Sequence, residues 1–109
     1  MAGEMIVKVQ SGALLSTDLE APQAIPYFLW DEPMTNAEFR RRLITASEPE
    51  RIRLLAKLLR EARDSDVWHF VTPFEIRDRW PALAPQLGRR RLFWRFLLDC
   101  WKKDGLLSE

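Results

Sequence analysis

Apolar positions change their spacing once along the chain. Up to residue 33 no helical period is present: Met5–Gln10 alternates as a strand would, and Pro22, Pro26 and Pro33 interrupt the rest. From residue 34 onward apolar side chains return every three or four positions, the spacing that gives a helix one buried face. Phe39 and Leu43 lie one turn apart in a helix expected over residues 36–45. A longer helix over 48–63 carries Ile52, Leu55, Leu59 and Ala62 on one stripe, widened by Leu54 and Leu58. A third helix over 73–80 should stop at Pro81, because proline disfavours helical dihedrals in the residue before it. The last, over 89–104, places Phe93, Phe96, Leu97, Cys100 and Trp101 on one face, bordered by Leu92, Trp94 and Leu98.

The pattern predicts a mainly α protein: a compact bundle of four to five helices over residues 34–109, preceded by an extended acidic arm over residues 1–33 with one short strand. Leu55, Leu59, Phe93, Leu97 and Trp101 are expected to be buried together. Three helix starts are written in capping chemistry, Thr35 with Glu38, Ser47 with Glu50 and Thr72 with Glu75. In each a hydroxyl can accept from the third helical amide while the carboxylate returns to the cap. Pro73 suits the first helical position, and Gly105 the left-handed residue after the last helix.

Composition narrows the class. In a chain of 109 residues that is 47% apolar, with five Trp, six Phe and one Tyr, one core can form and global disorder is not expected. No apolar run approaches the roughly 20 residues of a membrane span, and the N-terminus lacks the basic start and apolar core of a signal peptide. A cytoplasmic location is the expectation. Lone Cys100, among Leu97, Leu98 and Trp101, reads as a buried small apolar residue.

Catalytic chemistry finds little material. His69 is the single histidine, there is no His/Cys cluster with metal-ligand spacing, and four glycines form neither a phosphate loop nor a nucleophile elbow. The reading is therefore a non-enzyme with neither cofactor nor metal. Charge is more telling: residues 1–34 carry one Lys against five acids, net −4, whereas residues 35–109 carry sixteen bases against eleven acids, net +5. Arg40, Arg41 and Arg42 form one basic run and Arg89, Arg90 and Arg91 another. The second run stands at the positive end of a helix dipole, an arrangement that asks for an anion or an acidic surface.

The aromatic run Tyr27-Phe28-Leu29-Trp30, closed by Asp31, is too apolar to leave in water and should dock on the body or on a partner. Trp30, Trp68 and Trp80 read first as packing anchors. Residues 72–109 also have the outline of a winged helix or helix-turn-helix, a short capped helix leading into a longer basic one. That outline supports a second reading, a DNA-binding transcriptional regulator.

At Tyr27-Phe-Leu-Trp30-Asp31, Ala56-Lys-Leu-Leu-Arg60-Glu-Ala-Arg63, Asp66-Val-Trp68 and Val71-Thr72 the chain resembles a bacterial family. Its members share an aromatic-Leu-Trp-Asp opening and an Ala-Arg-x-x-Asp-Val-Trp element, and are commonly encoded beside nucleotidyltransferase toxins of abortive-infection type. The resemblance spans about residues 27–80 and implies an antitoxin-like protein with no catalytic residues to carry over. Together with the residue chemistry it gives the expected function, a binding protein that holds a nucleotidyltransferase toxin. The candidate contacts are Phe28, Trp30, Asp31, Arg40, Arg41, Arg42, Arg89, Arg90 and Arg91.

Overall fold

In the computed structural model, which describes residues 6–8 and 14–107, the alternating N-terminal stretch does pair. Strand β1 (Ile6–Lys8) runs antiparallel to β2 (Leu14–Ser16), with Val7 opposite Leu15, and β2 runs parallel to the two-residue β3 (Ile25–Pro26). A 3-10 turn, Tyr27–Leu29, comes next, and then helix α1 (Asn36–Thr45). These elements belong to one compact unit, Met1–Ser47, and the remaining helices to a second, Glu48–Glu109.

What folds the segment before α1 is the open end of that helix. The first amides of a helix have no partner inside it. Here the Asn36 amide donates to the Ala24 carbonyl at 2.8 Å and the Ala37 amide to that of Pro22 at 3.1 Å, while the Glu38 amide donates to the Thr35 hydroxyl at 3.1 Å. The Asn36 side chain adds two more bonds, from Nδ2 to the carbonyls of Asp18 (3.0 Å) and Ala21 (2.9 Å). Phe28 and Leu29 are buried, and the Phe28 ring meets Phe39 edge-on at 5.5 Å. The expected docking of the aromatic run thus holds for Phe28 and Leu29, whereas Trp30 stays 55% exposed.

In the second unit, α2 (Glu48–Glu61) is the most buried helix, with every residue from Leu54 to Leu59 enclosed. Carbonyls in its last turn and just beyond it accept from α5 (Arg91–Lys103) and the turn before it. The Trp94 indole N–H donates to the Leu59 carbonyl at 2.9 Å and the Arg90 guanidinium to that of Ala62 at 3.4 Å. The Glu48 carboxylate, at the other end of α2, accepts from Arg79 at 2.9 Å. That contact holds the Glu48 carboxyl below its usual range.

Several expectations need correction. The third helix, α3 (Pro73–Asp78), ends two residues before Trp80, and Pro81 sits in the first turn of a new short helix, α4 (Trp80–Leu83), a position where proline lacks nothing. Residues 64–69, of open geometry in the sequence, form a 3-10 turn, as do Ala84–Gln86 and Gly88–Arg90. On α5 the enclosed positions are Trp94 and Leu98. Phe93, Leu97, Cys100 and Trp101 are half-buried, and Phe96 is 63% exposed, so the inward face is rotated from the one expected. Leu55 and Leu59 are buried as expected.

Caps at two helices match their sequence signals. Thr72 and Glu75 close a reciprocal capping box at α3. After α5, Gly105 takes φ +82°, its amide donates to Lys102 O, and the Leu106 amide donates to Trp101 O at 2.8 Å. This is a Schellman ending, which turns Leu106 and Leu107 back along the helix. Nothing lies within 4 Å of where a Cβ on Gly105 would sit, so Gly105→Ala tests the backbone alone. It should lower stability by about 1–2 kcal/mol, read as a fall in urea midpoint. An unchanged midpoint would show that the left-handed turn does not hold the C-terminus.

Candidate functional site

The two arginine runs divide by what they touch. In unit one, Arg41 and Arg42 both close on the Glu38 carboxylate, at 2.6 and 2.8 Å, the i+3 and i+4 positions of one helix face. Arg40 is half-buried, donates to the Leu19 carbonyl at 3.1 Å and approaches Glu20 at 3.9 Å. This first run therefore has bonds within its own unit. The hydrogen bond from Arg41, then that from Arg42, draws the Glu38 carboxyl down from 4.5 to about 2.

A carboxyl with a lowered folded pKa stabilises the fold above its unfolded value and loses that contribution as pH falls through the folded one. The Glu38 contribution should therefore be complete above pH 4.5 and fade towards pH 2. An NMR titration of the Glu38 side-chain carbon should give a midpoint near 2. A midpoint near 4.5 would mean the arginines leave it in solution.

In unit two, Arg90 is fixed by Ala62 and lies over the Phe93 ring at 4.9 Å and the Trp94 ring at 5.8 Å. Arg89 and Arg91 are exposed. The three stand at the start of α5 as expected: the 3-10 turn Gly88–Arg90 runs directly into the helix, with Arg90 as its N-cap and Arg91 as its first residue. Of the expected aromatic contacts, Phe28 is 1% exposed and packs inside unit one, while Trp30 and Asp31 are on its surface.

Unit two also presents a surface that the sequence did not single out. A cleft of about 360 Å³ is lined by Trp68, Pro73, Phe74, Trp101, Leu106 and Leu107, within the roughly 300–1,000 Å³ range of ligand pockets. Local chemistry places each wall. The capping box and Pro73 set the start of α3 and so Phe74; the Schellman turn brings Leu106 and Leu107 beside Trp101. Trp68 meets Trp101 edge-on at 5.6 Å and the buried Trp94 at 5.9 Å, which fixes the back wall to the core. Trp68, Phe74 and Leu106 are nonetheless 40%, 50% and 62% exposed. The readings of Trp68 and Trp80 as packing anchors are thus incomplete: one lines this cleft, and Trp80, half-buried, lines another.

That second cleft, of about 320 Å³, is formed by Arg77, Trp80, Arg95, Leu98, Asp99 and Lys102. Three cations meet one carboxylate there. Arg77 bonds Asp78 at 2.9 Å, but neither Arg95 nor Lys102 has an ion-pair partner among the described residues. Leu92 and Phe96, one turn apart on α5, are 71% and 63% exposed.

No three or more His, Cys, Asp or Glu side chains gather as a metal site among the described residues, and no helix there is long and apolar enough to cross a membrane. No protein-family model, no curated protein and no solved structure matches the chain.

Proposed function

We propose that the chain is a non-catalytic binding protein, an antitoxin-like cytoplasmic partner of a bacterial nucleotidyltransferase toxin. The observation that carries the binding reading is the cleft around half-buried Trp101, where the large apolar side chains of Trp68, Phe74 and Leu106 stand open to water. Aromatic anchors of this kind dominate the energetics of protein interfaces. The resemblance of residues 27–80 to neighbours of nucleotidyltransferase toxins supplies the identity of the partner.

A DNA-binding reading draws on Arg89, Arg91 and Arg95, exposed along the start of α5. Against it, Leu92 and Phe96 stand exposed among them, where base-edge donors and acceptors are needed for sequence readout.

The test is purification of the tagged chain from its native host, followed by co-expression with any nucleotidyltransferase recovered with it or encoded beside it. We expect a stoichiometric complex and relief of toxicity. Recovery of the chain without a nucleotidyltransferase, or micromolar binding to mixed-sequence duplex DNA that weakens steeply with salt, would overturn the reading.

A further inference from the structure

We propose that the seam between α3 and α5 is one continuous groove that receives a partner segment carrying a bulky apolar side chain beside a short run of carboxylates. The proposal deepens the binding reading above and rests on it. Two clefts of opposite character each take walls from both helices. Pro73 and Phe74, at the start of α3, face Trp101 and the returning Leu106 and Leu107; Arg77 and Trp80, further along the chain, share a cleft with Arg95, Leu98, Asp99 and Lys102. On α5 the aromatic cleft thus takes its wall from Trp101 and the turn after the helix, and the basic cleft from Arg95 to Lys102.

The joint between the clefts is itself structured. Phe74 and Arg77 are three residues apart, on one face of α3, and the Arg77 guanidinium lies 5.4 Å from the centre of the Phe74 ring. On the other wall Trp101 and Lys102 are consecutive. A peptide that seats an apolar side chain against Phe74 and Trp101 therefore has cations within its next few residues. Arg95 and Lys102 are seven positions apart, about 10 Å along the helix axis, a span that about three residues of extended peptide cover.

Charge decides the occupant. Like charges brought together in a cleft repel, and an anionic occupant relieves that repulsion. Arg77 is paired with Asp78 at 2.9 Å, and Arg95 and Lys102 against the single carboxylate of Asp99, which pairs with neither, leave the cleft one positive charge in excess. The apolar end, with Pro73, Leu106 and Leu107 among its walls, favours an aliphatic or aromatic side chain over a stacked base. Arginine and lysine beside an apolar groove are a recurring means of reading acidic peptide motifs. A nucleic acid would place phosphate on the cations but leave the leucine-lined end unused.

The test uses the full chain and fluorescein-labelled synthetic peptides, each with one tryptophan followed by four aspartates, four lysines or four serines. The aspartate peptide should bind at least tenfold more tightly than the other two. Phe74→Ala should weaken it at least tenfold, and so should the double reversal R95E/K102E. The reversal should in turn make the lysine peptide the preferred ligand, a gain that a misfolded variant cannot show. Equal binding of the three peptides would overturn the proposal. So would tighter binding of oligothymidylate than of the aspartate peptide, or concentration-dependent self-association that the aspartate peptide fails to reverse. If the nucleotidyltransferase complex forms and is indifferent to F74A and R95E/K102E, this proposal fails and the binding reading stands. If the aspartate peptide binds as described but no nucleotidyltransferase complex forms, the choice of partner fails and the groove stands.

Discussion

Replacing Trp94 by alanine is expected to lower the stability of the chain by about 3–5 kcal/mol, a large fraction of what a domain of this size possesses. The indole is fully buried, meets Phe93 edge-on at 5.2 Å and Trp68 at 5.9 Å, and donates to the Leu59 carbonyl at 2.9 Å. That carbonyl belongs to the last turn of α2, whose acceptors have no partner within the helix. Alanine removes the ring and the donor together, leaving a cavity and a buried unsatisfied carbonyl. Trp94→Phe retains most of the packing and should cost about 1–3 kcal/mol, the penalty of the stranded acceptor. Phe96→Ala, two positions away on the exposed face, should stay within about 0.5 kcal/mol of the parent. Urea unfolding monitored by circular dichroism orders the three. If Trp94→Ala costs no more than Phe96→Ala, the inward face of α5 has been misassigned.

The same residue marks where sequence reading stops. Leu92, Phe93, Trp94, Phe96, Leu97 and Leu98 are apolar around more than half of a helix, so periodicity alone gives α5 no unique inward direction. The direction is set by hydrogen bonds across 35 residues to Leu59 and 28 to Ala62, and no local pattern contains those partners. Capping is different, because Thr35 and Thr72 act within four residues of themselves: the full box expected at Thr72 forms, and at Thr35 the hydroxyl half forms while the Glu38 carboxylate turns to Arg41 and Arg42. Pro81 misled because proline suits the first turn of a helix as well as it closes the one before. Only the path of the chain beyond Pro81, back into helix through Leu83, separates the two cases.

For the candidate surface, the arginine runs were visible but their destinations were not. The pairing of Arg41 and Arg42 with Glu38 was available locally, since the carboxylate precedes them by three and four residues. Arg40 reaching Leu19 was not. Phe74, Arg77, Arg95 and Lys102 each look ordinary on their own helix, and Trp80 reads as a packing anchor; only the fold brings them to the walls of the two clefts. Gly105 was the one local hint: its turn brings Leu106 back to Trp101, which supplies half of the aromatic cleft.

Asn36 should be the most sensitive polar residue of the first unit, and its response should depend on pH. Its side chain is fully buried, and both Nδ2 bonds go to main-chain carbonyls, those of Asp18 and Ala21, tying the turn after β2 to the start of α1. Its Oδ1 is buried with no hydrogen-bond partner among the described residues. Asn36→Ala strands two carbonyls and should cost about 2 kcal/mol. Asn36→Asp is nearly the same shape with the opposite hydrogen-bonding character: an ionised carboxylate only accepts, so both of its neighbours become repulsive. Burial and the facing carbonyl oxygens favour the protonated acid, which retains one donor, and the folded pKa of the introduced group must rise. A group whose folded pKa lies above its unfolded value favours the fold below the unfolded pKa and disfavours it progressively above. Measured against the parent at each pH, Asn36→Asp should therefore be mildly destabilising at about pH 3 and cost about 3 kcal/mol or more at about pH 7. A deficit that is the same at both pH values would show that the carboxylate has turned out to solvent, and that Asn36 does not clamp the turn through its amide.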